Sequence, residues 1–120
     1  MTKSNLDRDN LDELVSSFVA LSLRQDEAEE NDDIRQQNAA IRQRWALENA
    51  LLEAGPVALT RLVGLYTHKN IQVRLNAAIA TLDFAPVEAR RVLEVIRSWR
   101  IQPYAAEAWE KLDRLETQGR

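Results

Sequence analysis

The side chains that could perform chemistry in this chain are few in kind. Among its 120 residues there is one histidine, His68, and no cysteine. No serine motif points to that histidine as part of a catalytic triad. A metal site with two histidine ligands cannot form from one histidine, and without cysteine there is no thiolate nucleophile or ligand. Glycine-rich phosphate loops and the His-Glu-x-x-His pattern are also missing. We therefore predict no enzymatic activity, no metal and no cofactor, and we interpret His68 as an exposed residue of a polar turn.

The densest charge lies between residues 26 and 33, where acids occupy six of eight positions. These acids are Asp26, Glu27, Glu29, Glu30, Asp32 and Asp33. A calcium-binding EF-hand loop needs alternating acids and a central glycine, and this run has neither. We interpret it as the solvated end of one helix and the acidic start of the next. The alternative is a surface for a protein partner, contacted through Asp26, Glu30 and Asp33.

A basic set follows in the last third of the chain: Arg90, Arg91, Arg97 and Arg100. Arginines on one helix can neutralise the phosphates of a nucleic acid. However, Glu94 lies four residues after Arg90, where the two form an i,i+4 ion pair, and the whole chain carries −3. A nucleic-acid-binding domain is expected to be basic. We therefore favour a protein partner for Arg90, Arg91 and Arg97, with nucleic-acid binding as the alternative.

The charge is unevenly distributed, since residues 1–33 carry −7 and residues 34–120 carry +4. This division could steer a charged partner or reflect two solvated surfaces, and we favour the second interpretation. No apolar run approaches the ~18–20 residues of a membrane span, and the N-terminus has no signal-peptide pattern. We expect a soluble cytoplasmic protein that does not bind membranes.

Helices must position these residues, because Ala, Leu, Glu and Arg are abundant and no segment alternates like a strand. We predict an all-α chain of about six helices in one domain, residues 1–120, with frayed tails at 1–8 and 117–120. Helix 1 is predicted to begin near Asp9 or Asn10. Its apolar stripe consists of Leu11, Leu14, Val15, Phe18 and Leu21.

Helix 2 is predicted to run from about Asp32 to Glu53, with a seam at alternating spacings of four and three. The seam consists of Ile34, Asn38, Ile41, Trp45, Glu48 and Leu52. The polar Asn38 and Glu48 either lie at the edge of this seam, which we favour, or specify a helix pairing.

Proline, glycine and asparagine mark the later helix ends. Gly55 and Pro56 end helix 2 and begin helix 3, Asn70 is a candidate cap for helix 4, and Pro86 begins helix 5. Helix 5 is predicted to bury Val92, Val95, Ile96 and Trp99. Helix 6, after Pro103, is predicted to use Tyr104, Ala105, Ala108, Trp109, Leu112 and Leu115.

The segment 70–82 has an unusual pattern, because it is apolar on two opposite sides. At 100° per residue, one side carries Val73, Ala77, Ala80 and Phe84, and the other carries Ile71, Leu75, Ala78 and Leu82. A helix of this kind is buried on both sides and has neighbours before and after it. Such units of about 30 residues, from Pro56 to Pro86, must stack to bury their faces.

Three tryptophans, Trp45, Trp99 and Trp109, are predicted to lie in the core. Trp99, Tyr104 and Trp109 also cluster in the last third, where a terminal repeat must cap the stack. An incompletely covered cap would form an apolar contact site. These three residues are therefore candidates for a self-association patch that would allow a homodimer.

The segment 70–82 resembles the second helix of a HEAT repeat, which it matches at Val73, Arg74, Ala77, Ala78 and Leu82. Asn70 stands where HEAT repeats more often have aspartate. Together with the segments 11–15, 18–21 and 85–94, the order of motifs over roughly residues 10–110 is similar to a small bacterial family of HEAT-like domains, the domain of unknown function numbered two thousand and nineteen. This resemblance implies a fold but no activity and no site residues.

We therefore predict a short HEAT-like α-α superhelix, in which helices 3–6 stack and helices 1 and 2 pack across the front end. The function that we expect is a non-enzymatic protein-interaction module, either an adaptor or an inhibitor or immunity-type binder. The alternative is a nucleic-acid-binding protein that uses the arginine face.

Overall fold

The computed structural model describes residues 3–118, with side chains from Asn10 onward. Within this range all regular elements are helical. They are α1 (Lys3–Glu30), α2 (Ile34–Ala54), α3 (Pro56–Val63), a 3-10 helix (Gly64–Thr67), α4 (Ile71–Ala80), α5 (Pro86–Trp99) and α6 (Tyr104–Gln118). The all-α class and the six α-helices are confirmed for the described residues. The HEAT-like superhelical arrangement stays a prediction.

Helix α1 begins earlier than predicted, at Lys3 rather than near Asp9 or Asn10. No glycine or proline stands between Lys3 and Glu30, so nothing in the sequence breaks the helix. The predicted tail at 1–8 is therefore helical from Lys3, and α6 extends to Gln118. Residues 1, 2, 119 and 120 of the predicted tails lie outside the described residues.

The predicted helix boundaries at Gly55, Pro56, Asn70 and Pro86 are confirmed by their local geometry, whereas α4 ends at Ala80 and not just before Pro86, where it was predicted to end. Gly55 follows α2 with φ 95°, a left-handed backbone that favours glycine, and Pro56 begins α3. Asp33 caps α2, since its carboxylate accepts a hydrogen bond from the Gln36 amide at 3.1 Å. Pro86 likewise stands in the first turn of α5.

Asn70 caps α4 through its side-chain oxygen, which accepts a hydrogen bond from the Val73 amide at 3.1 Å. We expect Asn70→Ala to lower the free energy of unfolding by about 1 kcal/mol, because that amide loses its acceptor. Asn70→Asp keeps an acceptor and adds a charge favourable to the helix N-terminus, so it should cost less. Urea titrations of both variants measure the difference, and equal losses would contradict the capping role.

The chain forms two compact units, residues 1–61 and 62–120. The interpretation as one domain stays a prediction, and each unit has its own helix packing. In the first, α1 packs against α2. The predicted stripe of α1 faces inward, since Leu11 and Phe18 are buried and Leu14, Val15 and Leu21 are half-buried.

The predicted seam of α2 is wrong. Ile34, Trp45 and Leu52 are more than half exposed, whereas the buried residues of this helix are Ala40, Arg44 and Leu51. The buried side lies roughly a third of a turn from the predicted one. The charged Arg44 is buried because its guanidinium pairs with Glu48 at 2.9 Å, a contact that apolar periodicity does not reveal.

In the second unit, α4, α5 and α6 share one core. Its buried members are Leu75, Ala78, Ala89, Leu93, Ile96, Ala108 and Leu112. On α4, Leu75 and Ala78 are fully buried, and so are Val73 and Ala77 on the opposite side. The predicted burial of two sides of this helix is therefore confirmed at these four positions, although Phe84 lies beyond the helix end and is exposed.

Helix α5 buries a different stripe from the one predicted. Ala89, Leu93 and Ile96 enter the core, Val92 is half-buried, and Val95 and Trp99 are exposed. The apolar arc of α5 is wider than its core-facing side, so one margin stays uncovered. That margin forms one side of the candidate site.

Candidate functional site

The described part of the second unit contains an apolar groove with a cavity of about 320 Å³. We call it the α5 groove. Its lining residues are Tyr66, Thr67, Arg74, Glu88, Arg91, Val92, Val95, Ile96 and Trp99. Its volume lies near the lower end of the range of ligand pockets, about 300–1,000 Å³, and so suits one or two side chains or a small molecule.

Helix α5 supplies most of the groove through helical spacing. Glu88, Arg91, Val92, Val95, Ile96 and Trp99 follow one another at steps of three, one, three, one and three residues, which keeps them on one side of the helix. Ile96 is buried and anchors this side to the core, whereas Val95 is 43% exposed and Trp99 is 41% exposed. The groove therefore exposes large apolar side chains to solvent.

The 3-10 helix and α4 supply the remaining lining. The Tyr66 hydroxyl is hydrogen-bonded to the Thr81 hydroxyl, which itself donates to the Ala77 carbonyl at 2.7 Å. Because the Thr81 proton is used in that bond, the Tyr66 hydroxyl donates to Thr81. Burial raises the pKa of Tyr66 above its ordinary value of 10.0, the hydrogen bond with Thr81 offsets part of that rise, and the nearby Glu88 charge raises the pKa again. Tyr66 therefore acts as a neutral, fixed part of the groove.

Arg74 holds the positive charge of the groove in place. Its Nε donates a hydrogen bond to the His68 carbonyl, and its guanidinium carbon lies 5.8 Å from the centroid of the Trp99 ring. This is within the range of a cation–π contact. Arg91 adds a second cation and Glu88 one anion, so the lining has an excess of one positive charge.

The composition of this lining is suited to binding a ligand that has apolar and acidic groups. Apolar side chains remove apolar surface of a ligand from water, and the arginines favour a carboxylate beside it. Among the described residues, no group of three or more His, Cys, Asp or Glu side chains is placed to hold a metal ion. His68 is half-buried, and its Nδ1 accepts a hydrogen bond from the Asn70 amide, so it is a structural part of the turn. The prediction that it is exposed is wrong.

The charged residues singled out from the sequence lie in separate units. Asp26, Glu30 and Asp33 belong to the first unit, where Asp33 is the cap of α2. Arg90, Arg91 and Arg97 are exposed on α5 in the second unit. Of these six residues, the α5 groove includes only Arg91. The predicted Arg90–Glu94 pair is not among the ion pairs that the described residues form.

The aromatic predictions are corrected in the same way. Trp45, Trp99 and Trp109 are each more than two-fifths exposed, so none is a core residue. Only Trp99 of the proposed self-association patch lines the groove, while Tyr104 is partly buried against the core cluster. Tyr66, Thr67, Glu88 and the fixed position of Arg74 were not identified as site residues. Their place depends on the packing of three elements.

Comparisons with known proteins place the fold. The family model described as Domain of unknown function (DUF2019) matches residues 12–116. The crystal structure of the protein RPA1889 from Rhodopseudomonas palustris is similar, with a TM-score of 0.86 and 34% sequence identity, and the match covers 89% of this chain and 88% of that chain. No curated protein matches. None of the described helices is long and apolar enough to cross a membrane.

Proposed function

Because this chain belongs to the DUF2019 family, whose description assigns no activity, we propose its function from the α5 groove. The chain is a non-enzymatic protein-interaction module that receives an apolar side chain of a protein partner. The observation that carries this proposal is the exposure of Val95 and Trp99, at 43% and 41%, beside a cavity of about 320 Å³. Large apolar side chains grouped at a concave surface are typical of contact sites.

The two arginines give the groove a preference among partners. A partner with an acidic residue near its apolar anchor would place a carboxylate beside Arg74 or Arg91. Arg74 is already fixed by its hydrogen bond to the His68 carbonyl, so it loses little conformational freedom on binding. The nucleic-acid alternative is weaker, because Glu88 and Glu94 stand among the arginines of the same helix.

We expect a photo-crosslinking amino acid at position 95, introduced by amber suppression in cells of the source organism, to form adducts with a protein. The same residue at position 87 should not form them. Val87 is a matched control, because it lies on the same helix, is more exposed at 63% and is not part of the groove. Mass spectrometry of the adducts identifies the protein and the crosslinked peptide.

The pattern of adducts decides between the outcomes. Adducts at position 95 but not at 87 support the groove as the contact surface. Equal adducts at both positions, or none at either, would contradict it.

A further inference from the structure

The turn between α1 and α2 presents an unusually exposed apolar residue. Ile34, the first residue of α2, is 68% exposed, the largest fraction among the large apolar side chains that the structure describes. The chain reverses just before it, with Asp32 in the left-handed region at φ 56°. Ile34 therefore lies at the tip of a helical hairpin, where a protein surface can reach it.

The charges around Ile34 are complementary to those of the α5 groove. Asp32 and Asp33 precede Ile34 directly and Arg35 follows it, and all three are exposed. The groove combines an apolar wall with two cations and one anion. The segment 32–35 is therefore complementary to the groove. The arginines of the groove can pair with its two acids, the apolar wall can cover its isoleucine, and Glu88 can pair with its arginine.

Resting on the proposed function of the groove, we propose that its partner is a second copy of this chain. Ile34 of one copy occupies the space beside Val95 and Trp99 of another, with Asp32 and Asp33 of the first copy near Arg74 and Arg91 of the second. The acidic run at 26–33 and the arginines of α5 steer the two surfaces toward each other.

In this contact one copy contributes its turn and the other contributes its groove, so each copy keeps one unused surface after the first contact has formed. Association continues until these surfaces are used, either by the same two copies in a closed pair or by further copies head to tail. One turn in one groove is smaller than a standard interface of about 800 Å² per partner, so the assembly is weak and depends on concentration. Because charges contribute to it, ~1 M salt weakens it, since the screening length falls to about 3 Å.

Two single variants and their mixture test this arrangement by light scattering. We expect the molar mass of the unmodified chain to rise above 13.7 kDa as its concentration increases from about 10 µM to about 1 mM. Ile34→Glu removes the apolar anchor, and Val95→Glu places a negative charge in the groove that repels Asp32 and Asp33 of the other copy. Each variant alone should stay at 13.7 kDa. Both residues are solvent-exposed, so circular dichroism should show an unchanged fold.

The equimolar mixture of the two variants is the decisive sample. The Ile34→Glu chain keeps an intact groove and the Val95→Glu chain keeps an intact turn, so one contact can form and chain extension cannot. We expect the mass to approach twice that of the monomer and to stop there. Val57→Glu, at an exposed position outside the contact, should associate like the unmodified chain.

A constant mass of the unmodified chain, association of either single variant alone, or a monomeric mixture would overturn the second copy as partner. The crosslinking experiment tests the proposed function of the groove independently of the self-contact. Adducts at position 95 with a different protein, from a chain that stays monomeric, would keep the groove as a contact surface and exclude the self-contact. Adducts with the peptide that contains Ile34 would support it.

Discussion

Replacing Leu93 by alanine is expected to lower the free energy of unfolding by about 3 kcal/mol, within the range of about 2–5 kcal/mol for buried leucines. Leu93 is fully buried on α5, in the cluster that joins α4, α5 and α6. The loss has two parts: the transfer free energy of the deleted methyl groups and a cavity that the surrounding helices fill only in part. Urea unfolding, followed by circular dichroism and by tryptophan fluorescence, measures it.

Val95→Ala is the matched control for Leu93→Ala. Val95 lies two residues along the same helix and is 43% exposed, so its truncation should cost less than about 1 kcal/mol. Helical spacing alone assigned Val95 to the core, so the pair distinguishes the observed orientation of α5 from the predicted one. Equal losses in the two variants would contradict the observed orientation.

The second large effect concerns the buried ion pair of α2. Replacing Glu48 by leucine should cost about 3 kcal/mol, because it leaves the Arg44 charge buried without its partner. The two side chains are only 6% and 15% exposed, and Arg44 Nη1 lies 2.9 Å from Glu48 Oε1. Arg44 Nε is buried without a hydrogen-bond partner, so this nitrogen does not compensate for the lost pair.

The double variant Arg44→Met with Glu48→Leu should recover stability to within about 1 kcal/mol, since apolar side chains often replace a buried pair without loss. An exposed i,i+4 pair provides the control. Glu110 and Arg114 are 52% and 62% exposed and 2.8 Å apart, so Glu110→Leu should change stability by less than about 0.5 kcal/mol. A double variant that is no more stable than Glu48→Leu alone would show that the cost comes from lost packing instead of an unpaired charge.

The exposed apolar side chains have a consequence for both proposals. Val95 in the groove and Ile34 on the turn are 43% and 68% exposed, so their substitution should cost little free energy of unfolding. Their variants therefore separate binding from folding, which substitutions at Leu93 or Phe18 would not. Loss of association with an unchanged unfolding midpoint is the combined result that a contact role requires.

Local sequence specifies the helix boundaries at Gly55, Asn70 and Pro86, although it did not indicate the start of α1 at Lys3 or the end of α4 at Ala80. Gly55 with Pro56, the Asn70 cap and Pro86 act through the backbone of their own few residues, so no distant contact is needed to interpret them. Burial on both sides of α4 was determined in the same way, because apolar residues at Val73 and Leu75 cover opposite sides of one short helix. The family resemblance added the fold and no site.

Which side of α2 and α5 is buried depends on the packing of neighbouring helices. Periodicity gives the angle of each residue around its own helix. More than one side of each helix is apolar enough to be buried, and contact with the neighbouring helix selects one of them. On α2 the packing leaves Trp45 exposed and buries Arg44, whose charge is then paired with Glu48.

The α5 groove was decided in the same way, since its residues come from positions 66–67, 74 and 88–99. These segments meet only through the packing of the 3-10 helix and α4 with α5. Local sequence carries no information on distances between separate elements, because those distances follow from side-chain volumes summed over the whole core. The helix boundaries at Gly55, Asn70 and Pro86 are therefore local properties of this chain, whereas its groove is a property of the packed second unit.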